Sequence, residues 1–560
     1  MAIERDFAKQ GPGDFSPIVV ERSDDVSWDD EADVVVVGFG GAGVVAAIEA
    51  RENGATVLAI DRFSGGGATA YSGGVVYAGG GTRHQIDAGF SDTPDEMFKY
   101  IDAEGCPVSE ETLRRFCECS KEDLDWLEKN GVPFGSKVYL NKTTFPPDSY
   151  WLYFSGNERM PAFKDMAKPA PRGHRPIGSG FGGKLYYRKL RESALAKGVR
   201  LIPHAPATRL IVNRDNQVVG VEVNALPETL WQRHSQLYAA VNPMLPFNGE
   251  RAERNIAKCH ELETSVNAPR RIRARGGVIL STGGFIYNLE LLGRHRETVA
   301  SAYPGLLRLG SMGCRGDGIN LGCSIGGETD LMDKLFLGRS IAPPEAFVYG
   351  VIVNARGNRF INEDAYLGVL GDAISKQPEG GKAWLILDKH GFWKGVKQSM
   401  FPGKGMFLMW GAPALLNILM GGTKRARSLK DLAKKCGVDA DNLDHNVTLF
   451  NQSVVAGSAD SCGKAIDKMQ AVAKGPFYAV NLSLTNRFGP SLAFTLGGLV
   501  VSEVTGEVLR ADGSAVYGLY AAGRAAVGIC SRGYMMSGQS IADTVFSGRR
   551  AGRDAARKVN

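Results

Sequence analysis

The chain has 560 residues, enough for more than one domain, and 44% hydrophobic against 22% charged residues, the balance of an ordinary globular protein. A net charge of +6 over this length, with no basic stripe interleaved with aromatics, argues against a nucleic-acid binder. Nine scattered cysteines without C-x-x-C or His/Cys ligand spacing argue against a metal site or a disulfide framework and fit a reducing compartment.

Residues 1–30 read as a polar leader. Glu4, Arg5, Asp6 and Lys9 exclude a secretory signal, and no apolar run is long enough to span a bilayer. Val34 to Val37 form a strand pattern, followed by Gly38, Gly40 and Gly43 set as G-x-G-x-x-G at the start of an apolar helix pattern. Gly38 serves the sharp turn, Gly40 the approach of backbone to a pyrophosphate, and Gly43 close helix–strand packing. Gly41 and Ala42 complete the helix start, whose N–H groups face the phosphates. A second strand ends at Asp61, where a carboxylate can take a ribose hydroxyl, with Arg62 beside it.

The loop that follows decides between dinucleotides. Gly65 to Gly74 sets Ala68, Thr69, Ser72, Gly73 and Gly74 as small side chains and bare N–H groups against a large flat ligand, which points to FAD rather than NAD. Residues 92–131 read as helices with Asp92 and Ser109 as N-caps. Residues 140–185 read as an irregular excursion. Strands follow at 199–202, 208–212 (just after Ala207, a cofactor candidate) and 218–223.

Residues 225–270 read as an insertion. Leu230, Trp231, Leu237, Tyr238 and Val241 recur at helical spacing, and Pro243 and Pro246 interrupt the helix around Met244, Leu245 and Phe247. With Arg251, Arg254 and Lys258 behind them, these residues suit a headgroup boundary, so 228–262 is a candidate peripheral membrane contact. Arg270, Arg271, Arg273 and Arg275 read as solvated residues opening the next strand. That strand, 277–280, ends in small residues; Thr282 and Gly283, with Asp317 further on, are placed on the adenine side of the cofactor. Near the C-terminus, Gly518 to Ala522 form a strand that turns at Gly523. Gly538 then opens a last helix, with Ser540 and Ile541 aiming its positive end at the flavin ring. The expected fold is α/β: a Rossmann-like FAD-binding domain with a parallel sheet, discontinuous over 31–334 and 488–560, plus a smaller α+β catalytic domain at 335–487.

Taken in order, Gly66-Gly67-Ala68-Thr69, Gly277 to Gly284, Arg359 to Tyr366, Phe494 to Gly498 and Gly518 to Gly523 resemble the fumarate reductase/3-ketosteroid dehydrogenase superfamily. Tyr366 after Asn362-Glu363-Asp364, and Tyr534 in Arg532-Gly533-Tyr534-Met535-Met536-Ser537-Gly538, look like the ketosteroid branch. Two families compete there. Ala170 to His174 and Ser547 to Gly552 resemble Δ4-(5α)-dehydrogenases. The four-residue step from Tyr534 to Gly538 and the insertion resemble cholest-4-en-3-one Δ1-dehydrogenases, and the Δ1 type is the expectation. The resemblance implies a cytoplasmic enzyme, peripheral on the inner membrane, that passes electrons from a steroid to an external acceptor. It implies that Tyr534 O–H and Gly538 N–H hold the C3 carbonyl oxygen and that Tyr366 takes a proton from C2. Flavin N5 accepts a hydride from C1. A second tyrosine behind the base falls to Tyr150 or Tyr153, and Ser537 matches the serine of the Δ4-(5α) pattern. A fumarate-reductase-like flavoprotein and an electron-passing flavin subunit are the remaining alternatives.

Overall fold

The structure is a computed structural model and describes residues 15–245 and 249–559. Residues 1–14 of the leader, together with Pro246 and Phe247 of the insertion, lie outside these residues. The central strand is β1 (Asp30–Val37), whose Val34 to Val37 are buried on both faces, as a strand covered by helices on each side must be. It turns into α1 (Gly41–Glu52) and returns as β2 (Val57–Ile60), parallel to β1. β3 (Arg200–Ile202) extends this edge beside β2. β4 (Ala207–Val212) and β5 (Val218–Asn224) form an antiparallel pair, and Ile18–Val19 joins β4, so the end of the leader is a sheet edge.

The insertion follows as α2 (Glu228–Ala239) and α3 (Gly249–Thr264), packed on each other. β6 (Pro269–Leu280) then runs parallel to β1 along its length. On its other side β6 first meets β5, antiparallel, and then the strand Ala515–Ala521, parallel. The change falls at a bulge between Ala274 and Gly277, where Gly277 has φ +145° and a Cβ would meet the Tyr520 ring at 2.8 Å. The arginines of β6 are not bare: Arg271, Arg273 and Arg275 pair with Glu222, Asp24 and Glu31.

A separate antiparallel sheet comes from the middle of the chain. β7 (Val351–Asn354), α4 (Leu367–Ser375), β8 (Ala383–Leu387), α5 (Lys389–Met400), α6 (Ala412–Met420), β9 (Lys424–Ala426) and β10 (Phe477–Asn481) build it in the order β7-β8-β10-β9. The chain then re-enters the first sheet through β11 (Ala515–Ala521) and ends in α7 (Gln539–Arg557). α7 lies against α1 along a seam of small residues: a Cβ on Gly552 would meet Ala46 O at 2.4 Å. Arg549 and Arg553 lock the seam by pairing with the buried Glu49. The α/β class with a parallel core sheet is thus as expected.

Two local expectations differ. Ser109 caps its helix (Glu110–Lys129) by accepting Thr112 N–H, but the preceding helix (Pro94–Glu104) is capped by Thr93 rather than Asp92. Asp92 is buried in a bidentate pair with Arg172 (2.7 and 2.9 Å), which takes both of its oxygens. The insertion also turns its aromatic residues inward. Tyr238 packs on Phe63 (4.3 Å between centroids), and Trp231 stacks near His204 while donating to Leu226 O. His234 is buried between His204 and Glu263. The helix pair buttresses the cofactor domain, so Trp231 and Tyr238 do not form the lipid-facing belt expected at 228–262. Among the described residues no helix is long and apolar enough to cross a membrane.

Candidate active site

The C-terminal ends of β1, β2 and β6, the starts of α1 and α7 and the run 408–417 surround one cavity of about 590 Å³. The ends of parallel strands are where α/β sheets take ligands. Gly38 lies at φ +96°, and a Cβ there would sit 2.7 Å from Ser281 O, so only glycine makes this turn. Gly40, Gly41 and Ala42 line the cavity, and α1 begins without a side-chain cap, which leaves its first N–H groups for a ligand. Gly43 stands one layer behind: a Cβ there would be 1.9 Å from Gly38 O. Its part is helix–strand packing rather than direct contact.

Asp61 lines the cavity, yet its carboxylate already accepts from Phe39, Phe63 and Gly65 N–H (2.8, 2.8 and 3.2 Å). Burial raises its pKa and these three donors oppose the rise. Asp61 thus braces the glycine loop from the cavity wall where the ribose role was expected of it. Arg62 reaches across to Glu263 of α3 with two bonds of 2.7 Å and to Asp317 at 3.3 Å. Burial would lift Glu263, but Arg62 and His234 outweigh it and hold its pKa at about 2. Ala68, Thr69, Ser72, Gly73 and Gly74 line the same cavity, as do Ala207, Thr282, Gly283 and Asp317. Gly523 lines it with Ser540 and Ile541, at the start of α7, which also lacks a side-chain cap. Two uncapped helix starts and a glycine loop on one elongated cavity suit both ends of FAD: a pyrophosphate at α1 and an electron-rich ring at α7.

The catalytic candidates gather beside the α7 start. Tyr366 caps α4, and its backbone N–H donates to Asn157 Oδ1 at 2.6 Å. Its hydroxyl is 3.1 Å from Ser537 Oγ. Burial, with the neighbouring Tyr534, pushes the Tyr366 pKa well above 10 despite the Ser537 hydrogen bond, so its resting form is a neutral phenol. Tyr534 is boxed by Phe336 and Phe494 (centroids 5.0 and 5.2 Å away) and faces Tyr366 at 6.1 Å. Burial lifts Tyr534 to about 12, opposed by the Gly538 and Ser540 N–H groups. Gly538 N–H donates to Tyr534 Oη at 3.0 Å. The two expected carbonyl donors are therefore arranged in series: Gly538 N–H is taken by the phenol oxygen, which leaves the phenol O–H as the group to donate.

Tyr153 lines the cavity, is fully buried and donates to Thr144 O, which Ser537 Oγ also reaches, both at 3.3 Å. Tyr150 is not part of this group; it packs on Tyr139 (5.1 Å) and under Lys137, away from the cavity. Behind Tyr366 a second space of about 20 Å³ is lined by Lys142, Ser155 and Glu363, roomy enough for one water at the ~10–15 Å³ it needs. Sequence reasoning missed the apolar wall made by Met409, Trp410, Pro413 and Leu416. Its signal was the apolar run 406–420 in the middle of the chain. It also missed Arg339, buried at the cavity edge on Ser483 O and Ser491 Oγ (2.8 and 2.7 Å), where burial lowers its pKa to about 10.

Residues 33–541 match the family described as "FAD binding domain". The chain is 37% identical over 514 residues to the 3-oxo-5-alpha-steroid 4-dehydrogenase of Comamonas testosteroni, covering 90% of this chain and 94% of that one. A 3-oxosteroid 1-dehydrogenase of Mycolicibacterium smegmatis is 27% identical over 94% of this chain and 97% of its own. Among solved structures, the 3-ketosteroid Δ4-(5α)-dehydrogenase of Rhodococcus jostii RHA1, in complex with 4-androstene-3,17-dione, superposes with a TM-score of 0.80. That pair is 31% identical, with 97% of this chain and 99% of the other covered.

Proposed function

This chain belongs to the FAD-binding-domain family of flavoprotein oxidoreductases and, within it, to the FAD-dependent steroid dehydrogenases, and from that premise we propose that it desaturates the C4–C5 bond of a 3-keto-5α-steroid. The observation that carries the 4,5 position is the likeness at 37% to a 4-dehydrogenase across 90% of the chain, against 27% to a 1-dehydrogenase. This departs from the Δ1 expectation. The 1,2 position remains the second reading, favoured by the four-residue step that lets Gly538 N–H reach Tyr534 Oη at 3.0 Å.

Either position lies beside the C3 carbonyl, so one hydrogen to be removed is acidified by it. Tyr534 donates its O–H to the carbonyl oxygen, with Gly538 N–H behind it, and stabilises the enolate as charge develops there. The Ser537–Tyr366 hydroxyl pair takes the proton from the carbon next to the carbonyl. Because Tyr366 is held neutral, the pair works as a relay: Ser537 receives the proton and passes its own to Tyr366 Oη, which releases its phenolic proton to a water in the small space lined by Ser155 and Lys142. FAD held along the α1 and α7 starts supplies the oxidant for the hydrogen that leaves with its electron pair. Phe336, Phe494, Met409 and Trp410 give a flat neutral substrate an apolar bed and exclude water. On this reading 335–487 is the substrate domain over a cofactor domain of 31–334 and 488–560.

Anaerobic incubation with 5α-androstane-3,17-dione and, separately, 4-androstene-3,17-dione tests the assignment. Bleaching of the flavin by the first only, with a 4-ene product, is the expected result. A 1,4-diene formed from the second substrate would move the assignment to the 1,2 position. No turnover of either with an artificial acceptor would favour an electron-passing subunit.

A further inference from the structure

Residues 389–430 contain eight Lys and Arg and no Asp or Glu, in a chain that carries 60 acids. The same stretch exposes large apolar side chains: Leu408 is 83% accessible, Leu419 78% and Phe401 74%. They come from α5, the single π turn Phe407–Gly411 and α6, which pack on one another. On α5, Trp393, Lys397 and Met400 recur at i, i+4 and i+7, which places a tryptophan, a cation and a methionine on one face. Trp393 and Met400 are exposed there. Lys397 and Lys404 are exposed, and neither has a carboxylate partner among the described residues.

Leu408 connects this surface to the cavity. It lines the cavity while being almost wholly accessible, and its neighbours Met409, Trp410 and Pro413 form the cavity wall. One segment thus has an apolar inner face and an apolar outer face, and the mouth lies at its edge. Exposed apolar groups with Lys394, Lys397 and Lys404 among them and no acid within the segment match an anionic lipid surface: the apolar groups enter the acyl boundary and the lysines meet the headgroups. A protein partner would fit less well, because lysine is depleted at protein interfaces. We propose that the segment from Trp393 to Met420 docks this enzyme on an anionic membrane surface, with the mouth of its cavity opening toward the lipid. Docking stands whether or not the substrate is a steroid. That the substrate enters from the bilayer rests on the steroid reading above.

Co-sedimentation of the flavin-loaded full chain with phosphatidylglycerol–phosphatidylcholine vesicles tests the docking, read by flavin absorbance in the pellet. The chain is expected to pellet with these vesicles. Phe401→Glu/Leu419→Glu, neither of which lines the cavity, is expected to lower the partition coefficient by about tenfold or more. Turnover in vesicle-free buffer should be unchanged, which also shows that the variant is folded. Lys397→Glu/Lys404→Glu is expected to weaken binding by about tenfold on the anionic vesicles and little on pure phosphatidylcholine. A wild-type chain that stays in the supernatant overturns the proposal. So does equal pelleting of wild type and both variants. A concentration-dependent dimer, without vesicle binding and dissociated by Phe401→Glu/Leu419→Glu, would assign the face to a second copy of the chain instead.

Discussion

Tyr534 and Tyr366 are both phenols in a buried, aromatic setting, and that setting decides what each can do. Tyr534, lifted to about 12, keeps its proton at any working pH and is suited to donate. Tyr534→Phe should therefore lower kcat/KM by about 10²–10³-fold, the loss of one preorganised donor, with flavin content unchanged by absorbance. Ser537→Ala should lower the rate by about 10²–10⁴-fold, and Ser537→Thr should restore part of it, because a hydroxyl 3.1 Å from Tyr366 is what the relay needs. The two tyrosines were legible in the sequence through their motif neighbours. The choice between Tyr150 and Tyr153 was not. It depends on Tyr153 standing on the short strand Leu152–Tyr153 while Tyr150 lies in the irregular chain before it, and in a Pro- and Gly-rich stretch no periodicity reports that. Nor could the sequence reveal that Gly538 N–H is engaged by Tyr534, since spacing constrains reach but not direction.

At the scale of elements, the β1–α1 corner is the most exacting part of the fold. Gly43→Ala would force a methyl group against Gly38 O at 1.9 Å. Overpacking of this kind costs about 1–3 kcal/mol, and because α1 would be pushed off the strand, purified protein should lose bound flavin in a ratio of visible to ultraviolet absorbance. The Arg62–Glu263 clamp joins the insertion to the end of β2, and its pH dependence follows from the depressed acid. Glu263 contributes stability that is fully present above its ordinary 4.5 and is lost as pH falls through about 2. Thermal melts should show wild type above Glu263→Gln at pH 7, with the gap shrinking below pH 4.5 and vanishing near 2. A constant gap would show that the pair is merely a contact. The strands were legible because residues such as Val34 to Val37 have one buried environment and one pattern. The inward packing of the insertion's Trp231 and Tyr238 was not legible, because an amphipathic helix displays the same periodicity whether its apolar face meets lipid or protein. Only the partners of Tyr238, His234 and Glu263 distinguish the two. The run 406–420 was passed over for the converse reason: it is apolar nearly all round, so periodicity marks no face.

At the scale of the whole molecule, the cofactor site is assembled from residues as far apart as Gly38 and Ile541. The ion pairs of Arg549 and Arg553 with Glu49 bridge about the same distance along the chain. Arg549→Ala should strand the buried Asp123 carboxylate and leave Glu49 to Arg553 alone, costing about 3–5 kcal/mol, read as a lower unfolding midpoint in urea together with flavin release. The seam between α1 and α7 also imposes an order in time. During synthesis the phosphate-facing half of the site leaves the ribosome some five hundred residues before the helix start that faces the ring. A nascent chain stalled short of Gly538 should therefore bind no flavin, while one released at full length should. Flavin binding is then tied to the docking of α7 on α1, and the supply of free FAD at that moment sets how much holoenzyme forms.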